Sequence, residues 1–162
     1  MSKLRIKIGS PENFSNLEIA SFLQLLTQQD KVVNPSIAKI SRCKILAAGF
    51  VDDEMVCIGA IKPKTASDFT EAKANLPELT YVFEWEIGYF FTKPKHEGNK
   101  YSSQLLDSLI NDYGSDNLMA STEIRDGNRM INALENRNFV QMGQGWLNSK
   151  ATETLTLFLK MT

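Results

Sequence analysis

Apolar and polar positions change their period often enough along the chain to divide it into short elements. Leu4 to Ile8 alternates apolar with basic residues, which predicts a first strand, ended by Gly9-Ser10-Pro11. Phe14-Ser15-Asn16-Leu17-Glu18-Ile19 has the form of a capping box with a hydrophobic staple: Ser15 at the N-cap, Glu18 at N3, Phe14 set to pack on Ile19. Ile19, Phe22, Leu23 and Leu26 follow on one helical face, and the helix is expected to run to about Gln28. A second short helix is expected from Asn34-Pro35-Ser36, since proline suits the first helical turn, and carries Ile37 and Ile40. Cys43 to Phe50 and Met55 to Ile61 are apolar runs of strand length on either side of Val51-Asp52-Asp53-Glu54, a hairpin turn signal. Gly59, inside the second run, predicts a bulge or a close approach.

Hydrophobicity drops from Lys62 to Leu79. A short helix over Ser67 to Ala74 is expected there, before Leu76-Pro77, and the segment reads as a substrate-facing flap or as an ordinary surface excursion. Tyr81 to Thr92 is an aromatic and β-branched run, as in a strand buried on both faces, stopped by Lys93-Pro94 because proline has no N–H for a ladder. The polar loop His96-Glu97-Gly98-Asn99-Lys100 comes next. Tyr101, Leu105, Leu106, Leu109, Ile110 and Tyr113 then recur at helical spacing up to Gly114. Leu118 to Ile124 predicts a strand. Asp126-Gly127-Asn128 leads into a helix with Met130, Ile131 and Leu134 inward, ending near Asn138-Phe139. Phe139 to Trp146 and Thr154 to Met161 complete the pattern as two strands.

At 162 residues, 43% apolar and 23% charged, the chain reads as a single globular domain, residues 1–162, with a sizeable core. A formal charge of −1 argues against a generic nucleic-acid binder, which must neutralise several phosphates. No leader pattern opens the chain, and no apolar run approaches the roughly twenty residues that span a bilayer, so a cytoplasmic protein without membrane partners is expected. Cys43 and Cys57 lack metal-ligand spacing and read as free buried thiols. His96, the single histidine, has no Cys or Asp at ligand spacing, so no metal is expected, and a nucleophilic cysteine has no partner base.

Candidate chemistry lies in the stretch from Tyr81 to Ile110. A strand, a Gly/Asn-containing loop and a helix N-terminus in succession form an anion site: the first-turn N–H groups have no intrahelical partner, and the macrodipole adds roughly half a positive charge. Phosphate is the natural guest. Glu84 and Glu86 interrupt the strand two residues apart, hence on one face. Carboxylates so placed are either salt-bridged to a neighbouring element or chemically active.

This stretch resembles the acetyl-CoA-binding motif of the GNAT (GCN5-related) N-acetyltransferases, in which a central strand turns through Arg/Gln-x-x-Gly-x-Gly/Ala into a helix. Glu97 stands at the Arg/Gln position, Lys100 at the first Gly and Ser102 at the Gly/Ala. The likeness is carried by the surroundings: the strand Glu86 eleven residues before Glu97, the aromatic strand, its terminal proline, and Ser103-Gln104-Leu105-Leu106 opening the helix. A second likeness covers Met130, Leu134, Glu135 and Phe139 of Asn-x-x-(small/Met)…Leu-Glu-Lys-x-Gly-Phe, with Gly127 at the family Asn and Asn138 at the Gly, a substitution that a left-handed helix end accepts.

The resemblance implies the GNAT fold, an α/β architecture in which a central mixed sheet is flanked by helices, with acetyl-CoA as cofactor. It implies a strand that parts from its neighbour after a bulge, with Phe90, Phe91 and Thr92 along the pantetheine arm. The pyrophosphate falls on Glu97, Gly98, Asn99, Lys100, Tyr101, Ser102 and Ser103, and Asn128 near the cofactor arm. Glu86 takes the general-base position, directly or through a water, with Glu84 as its substitute. The family's general-acid Tyr position is Leu134 here, leaving thiolate protonation to solvent, Ser121 or a nearby Tyr. The implied activity is acetyl transfer to a primary amine of a small molecule or peptide; a charged tRNA fits the family but is disfavoured by the near-neutral charge. The rival reading is a degenerate domain that binds acyl-CoA, or nothing, without transfer. Either a monomer or a homodimer is compatible with the sequence.

Overall fold

A computed structural model describes residues 3–162. The elements are β1 (Arg5–Gly9), α1 (Asn16–Gln29), α2 (Ile37–Ser41), β2 (Ile45–Val51), β3 (Glu54–Pro63), β4 (Trp85–Thr92), α3 (Tyr101–Tyr113), β5 (Leu118–Ile124), α4 (Arg129–Glu135), β6 (Val140–Leu147) and β7 (Thr154–Lys160). This is the order predicted from the periodicity. The strands form a seven-stranded sheet in the order β1-β2-β3-β4-β5-β7-β6. β4 and β5 run parallel, whereas β1–β2, β2–β3, β5–β7 and β6–β7 are antiparallel. The result is the mixed α/β sheet expected. Among the described residues no helix is long and apolar enough to cross a membrane. The chain divides into two compact units, residues 1–63 with 87–114, and 64–86 with 115–162.

In the first unit, β2 and β3 close through Asp52 and Asp53, both left-handed at φ 49° and 67°, the conformation of the turn that matches strand twist. α1 starts with the predicted capping box. Phe22, Leu25, Leu26 and Ile40 bury completely or nearly so against Leu46, Ala48, Ile58 and Ala60, with Phe14 in the same cluster and Ile19 packed on it. Pro35 is not in the first turn of α2: Ser36 is the N-cap, its hydroxyl accepting from the Lys39 N–H at 3.2 Å. Proline therefore precedes the cap, where the missing N–H costs nothing. Gly59 marks a close approach, since a Cβ there would lie 2.7 Å from the Phe90 ring, while the register shift of this hairpin falls at Gly49/Phe50. Cys43 and Cys57 are free and buried, and burial pushes both thiols up to about 12, so neither is a nucleophile near neutral pH.

The second unit holds the main departures from expectation. Residues 67–74 form no α-helix; the segment is made of turns, with 3-10 helices at Ala66–Phe69 and Pro77–Leu79. The reason is packing. Phe69 and Ala74, five residues apart, would face about 140° apart on one α-helix, yet both are buried. Phe69 stacks on Phe83 with ring centroids 5.8 Å apart, and both join Met119, Trp146, Leu157 and Leu159 in one cluster. The insertion is thus a wall of this unit's core rather than a surface excursion. It is fastened to β6 by the Gln144 N–H, which donates to the Ala74 carbonyl at 3.0 Å. At Gly143 a Cβ would lie 2.4 Å from that same oxygen. β4 also starts later than predicted: Tyr81 and Val82 are exposed in a turn closed by Val82 N–H to the Leu79 carbonyl.

Candidate functional site

In the first unit, β4 carries a backbone irregularity that the aromatic run conceals. Tyr89 stands at φ 64°, and a left-handed residue within a strand kinks it as a bulge does. Tyr89 and Phe91 pack on the core cluster beside α1, while the Phe90 ring lies at Gly59 and Leu109. The Phe90 carbonyl accepts a 2.8 Å bond from the Gln29 side-chain amide. Beyond Thr92 the chain is tied down again. The Lys93 N–H donates to the Val56 carbonyl at 2.9 Å and the Lys93 ammonium pairs with Glu54 at 2.7 Å.

The loop then turns through a 3-10 helix at Pro94–His96, with the Asn99 side chain donating to the His96 carbonyl at 3.0 Å. Gly98 and Lys100 are left-handed, at φ 84° and 61°. Lys100 therefore keeps the positive φ that a glycine would supply, at a cost of about 1 kcal/mol. Its side chain is exposed. Lys100 is the N-cap of α3, and no side chain caps this helix. Ser15, Ser36 and Asn128 each cap α1, α2 and α4 through a side-chain acceptor. So among the described residues α3 alone of four α-helices presents its first-turn amides, those of Tyr101, Ser102 and Ser103, without a side-chain cap. The Ser102 hydroxyl shares a 3.1 Å bond with that of Thr92, which fixes the strand end to the first helical turn. Two left-handed residues, a lysine at the cap position and first-turn amides without a side-chain cap are groups of the kind that hold an anion. The diphosphate of a coenzyme A fits these groups.

The second unit holds the carboxylate. Glu86 is buried, and one of its oxygens accepts from both the N–H and the hydroxyl of Thr65, at 2.9 and 2.8 Å. Glu86 faces Met119 in the one register pair of the β4–β5 ladder, whereas β5 pairs with β7 along its whole length. Glu84 is exposed and precedes β4, so the period-two argument that placed it on the face of Glu86 does not apply; its carbonyl accepts from the Lys64 N–H at 3.2 Å. Asn128 caps α4: its side-chain oxygen accepts from the Met130 N–H at 3.0 Å, and its amide donates to the Thr122 hydroxyl at 3.1 Å and to the Glu123 carbonyl. Its carboxamide is thereby engaged in shaping the loop. Leu134, at the family Tyr position, is buried core.

Sequence reasoning passed over Thr65, Gln29 and the left-handed Tyr89. A threonine two residues past the end of a strand and a glutamine at a helix end are ordinary in sequence; only tertiary structure shows what each one holds. No cluster of three or more potential metal ligands occurs among the described residues.

No protein-family model matches the chain, and no curated protein matches it. Solved structures do. An acyl-CoA N-acyltransferase from Pseudomonas aeruginosa superposes with a TM-score of 0.71 at 11% identity, covering 98% of this chain and 99% of that one. An acetyltransferase of the GNAT family from Streptococcus pneumoniae gives 0.64 at 13% identity over 98% of both chains. The ribosomal-protein-S18-alanine N-acetyltransferase from Escherichia coli gives 0.62 at 11% over 96% and 93%. With the element order and the mixed sheet, these likenesses establish that the chain has the fold of the GCN5-related N-acetyltransferases.

Proposed function

We propose that the chain is an acetyl-CoA-dependent N-acetyltransferase that modifies a primary amine, of a small molecule or a peptide, in the cytoplasm. The observation that carries this reading is the start of α3. Among the described residues it is the one α-helix of four left without a side-chain cap, after a loop with two left-handed residues, in a fold shared with an acyl-CoA N-acyltransferase. The amides of Tyr101, Ser102 and Ser103, with Gly98, Asn99 and the ammonium of Lys100, hold the diphosphate. The kinked stretch Phe90-Phe91-Thr92 holds the pantetheine arm, and Glu97 edges the loop.

Bound acetyl-CoA would supply a thioester carbonyl carbon open to attack by nitrogen. The chain's own contribution is proton handling and placement. Glu86 accepts the proton lost by the amine, directly or through one water. Thr65, donating twice to one carboxylate oxygen, orients that group. Leu134 has no proton to give a leaving thiolate, so solvent, Ser121 or a nearby Tyr would supply it. The ribosomal-protein-alanine enzyme named above supports an amine of a peptide as one acceptor class.

Calorimetry with acetyl-CoA followed by thiol release against a panel of amines tests this reading. Binding with turnover supports it, and Glu86→Gln should then cut kcat by roughly 100-fold or more. A Gln variant with full turnover removes Glu86 from the mechanism. Leu134 at the Tyr position favours a second reading, an acyl-CoA-binding module without transfer. Binding with no thiol release from any amine would select it, and absence of binding would reject both.

A further inference from the structure

Residues 31–51 contain Lys31, Lys39, Arg42 and Lys44 and no Asp or Glu, in a chain whose formal charge is −1. The first unit gathers part of that charge at one corner. Arg42 is the C-cap of α2. Lys44 donates its backbone N–H to the Ile61 carbonyl at 2.8 Å, which sets it beside the end of β3 where Lys62 stands. Between Arg42 and Lys44, Cys43 is buried. Burial raises its thiol, and Lys62 and then Arg42 pull it back, so both cations lie within electrostatic reach of that one side chain. Arg42 and Lys44 are exposed, and Lys62 is half-buried. Like charges so gathered repel one another and attract an anion.

Lys62 links this corner to β4. Its ammonium stands 5.5 Å from the Tyr89 ring centroid, and a Cβ on Gly88 would lie 3.5 Å from its Cδ. Along the chain Gly88 is two residues past Glu86.

A long polyanion fits this unit poorly. β2 and β3 join at Asp52-Asp53-Glu54, and the length of β3 between Glu54 and Lys62 is roughly 26 Å. A nucleic-acid strand, charged every few ångströms, would pass along the hairpin from cations to carboxylates, whereas a short acidic segment stops before them. Val33 and Ile37, 69% and 55% exposed, lie on the same basic stretch, and the Lys39 ammonium donates to the Val33 carbonyl. Peptide side chains cover such apolar groups; a phosphate gains nothing from them. Two apolar side chains are too few for a lipid surface, which takes a continuous apolar helix face.

We propose that Arg42, Lys44 and Lys62 form a docking surface for a short acidic segment of a peptide acceptor, so that the chain favours amines on peptides with Asp or Glu close to the reacting nitrogen. The substrate part rests on the transferase reading above; the surface itself does not. Exposed ion pairs are individually weak, so the three cations act together, through encounter with the acceptor, and affect KM rather than kcat.

The test uses the full chain and short peptides with a free N-terminal alanine followed either by acidic residues or by the matching Asn and Gln. At low salt the acidic peptide should show a kcat/KM about tenfold higher, carried by KM, and the preference should fade at about 0.5 M salt, where screening is strong. Arg42→Glu combined with Lys44→Glu should abolish the preference while Tm and turnover of the amide peptide hold. If that reversal lowers Tm, the neutral pair Arg42→Gln with Lys44→Gln decides in its place. No preference in the wild type, or the same preference in the double variant, overturns the proposal. Tighter binding of a single-stranded oligonucleotide or of phosphatidylserine vesicles than of the acidic peptide also overturns it. Should the chain acetylate no amine, the transferase reading fails by itself. Fluorescence anisotropy of the labelled acidic peptide then decides the surface: binding weakened by the double substitution sustains it, and binding unaffected by the substitution, or no binding, removes it.

Discussion

Helices α1 and α3 are near equals in length, 14 and 13 residues, and each buries three side chains, Phe22, Leu25 and Leu26 in one, Leu105, Leu106 and Leu109 in the other. They begin in opposite ways. At α1 the Ser15 hydroxyl accepts from the Glu18 N–H at 3.1 Å, and the Glu18 carboxylate accepts from the Ser15 N–H and the Lys7 ammonium, both at 2.8 Å. At α3 a left-handed lysine stands in the cap position and no side chain caps the helix. Packing evidently holds a helix either way, since a missing cap costs only about 1 kcal/mol. The difference lies in the first turn: at α1 the Glu18 amide is capped from within the chain, whereas at α3 no side chain caps the helix, and under the proposed function its amides would meet the diphosphate.

The equivalence of the two helices in packing is tested by the largest effect. Leu26→Ala and Leu105→Ala should each lose about 2–5 kcal/mol of stability in denaturant titrations; a loss under about 1 kcal/mol in one of them would break the parallel. Ser103→Asp gives α3 an internal anion. Acetyl-CoA affinity should fall roughly 100-fold while stability holds or rises by about 0.3–1 kcal/mol, and unchanged binding would move the diphosphate away from this helix. Removing the cap of the other helix, by Ser15→Ala, should cost about 1 kcal/mol and leave ligand binding alone. Lys100→Gly should raise stability by about 0.5 kcal/mol through relief of the left-handed backbone, read as a small rise in denaturation midpoint.

Acid sharpens the same contrast. The Lys7 side chain first, and the Ser15 N–H next, hold the Glu18 carboxyl below the ordinary glutamate range. A folded-state value below the unfolded one adds stability at pH above that range, and this is lost as pH falls through the depressed value. Glu18→Gln should therefore flatten the acid limb of the stability profile.

Much of this was legible in the sequence because the signals were local. Ser15 and Glu18 spell their box within four residues, Asp52-Asp53 spells its turn, and Asn138 takes the left-handed φ of 70° that its place at a helix end implied. The conformation of the α3 loop was readable from Gly98 and from the glycine position that Lys100 fills. What escaped depends on partners far along the chain. The aromatic run from Tyr81 to Thr92 has one composition throughout, yet Tyr81 is 94% exposed, Phe83 is core and Tyr89 is left-handed. Stacking on Phe69 places Phe83 in the core, and no local signal marks the kink at Tyr89. The exposure of Glu84 escaped for the same reason, because its strand begins only after the turn at Val82.

The tight seat at Gly143 bears on how this scaffold could be altered. Any side chain there would collide with the Ala74 carbonyl and displace the bond from Gln144, unfastening the stretch that carries Thr65 and Phe69 from its anchor on β6. Engineers grafting new recognition loops between β3 and β4 can rewrite the exposed positions freely, provided that this single glycine, some seventy residues downstream, is left as it is.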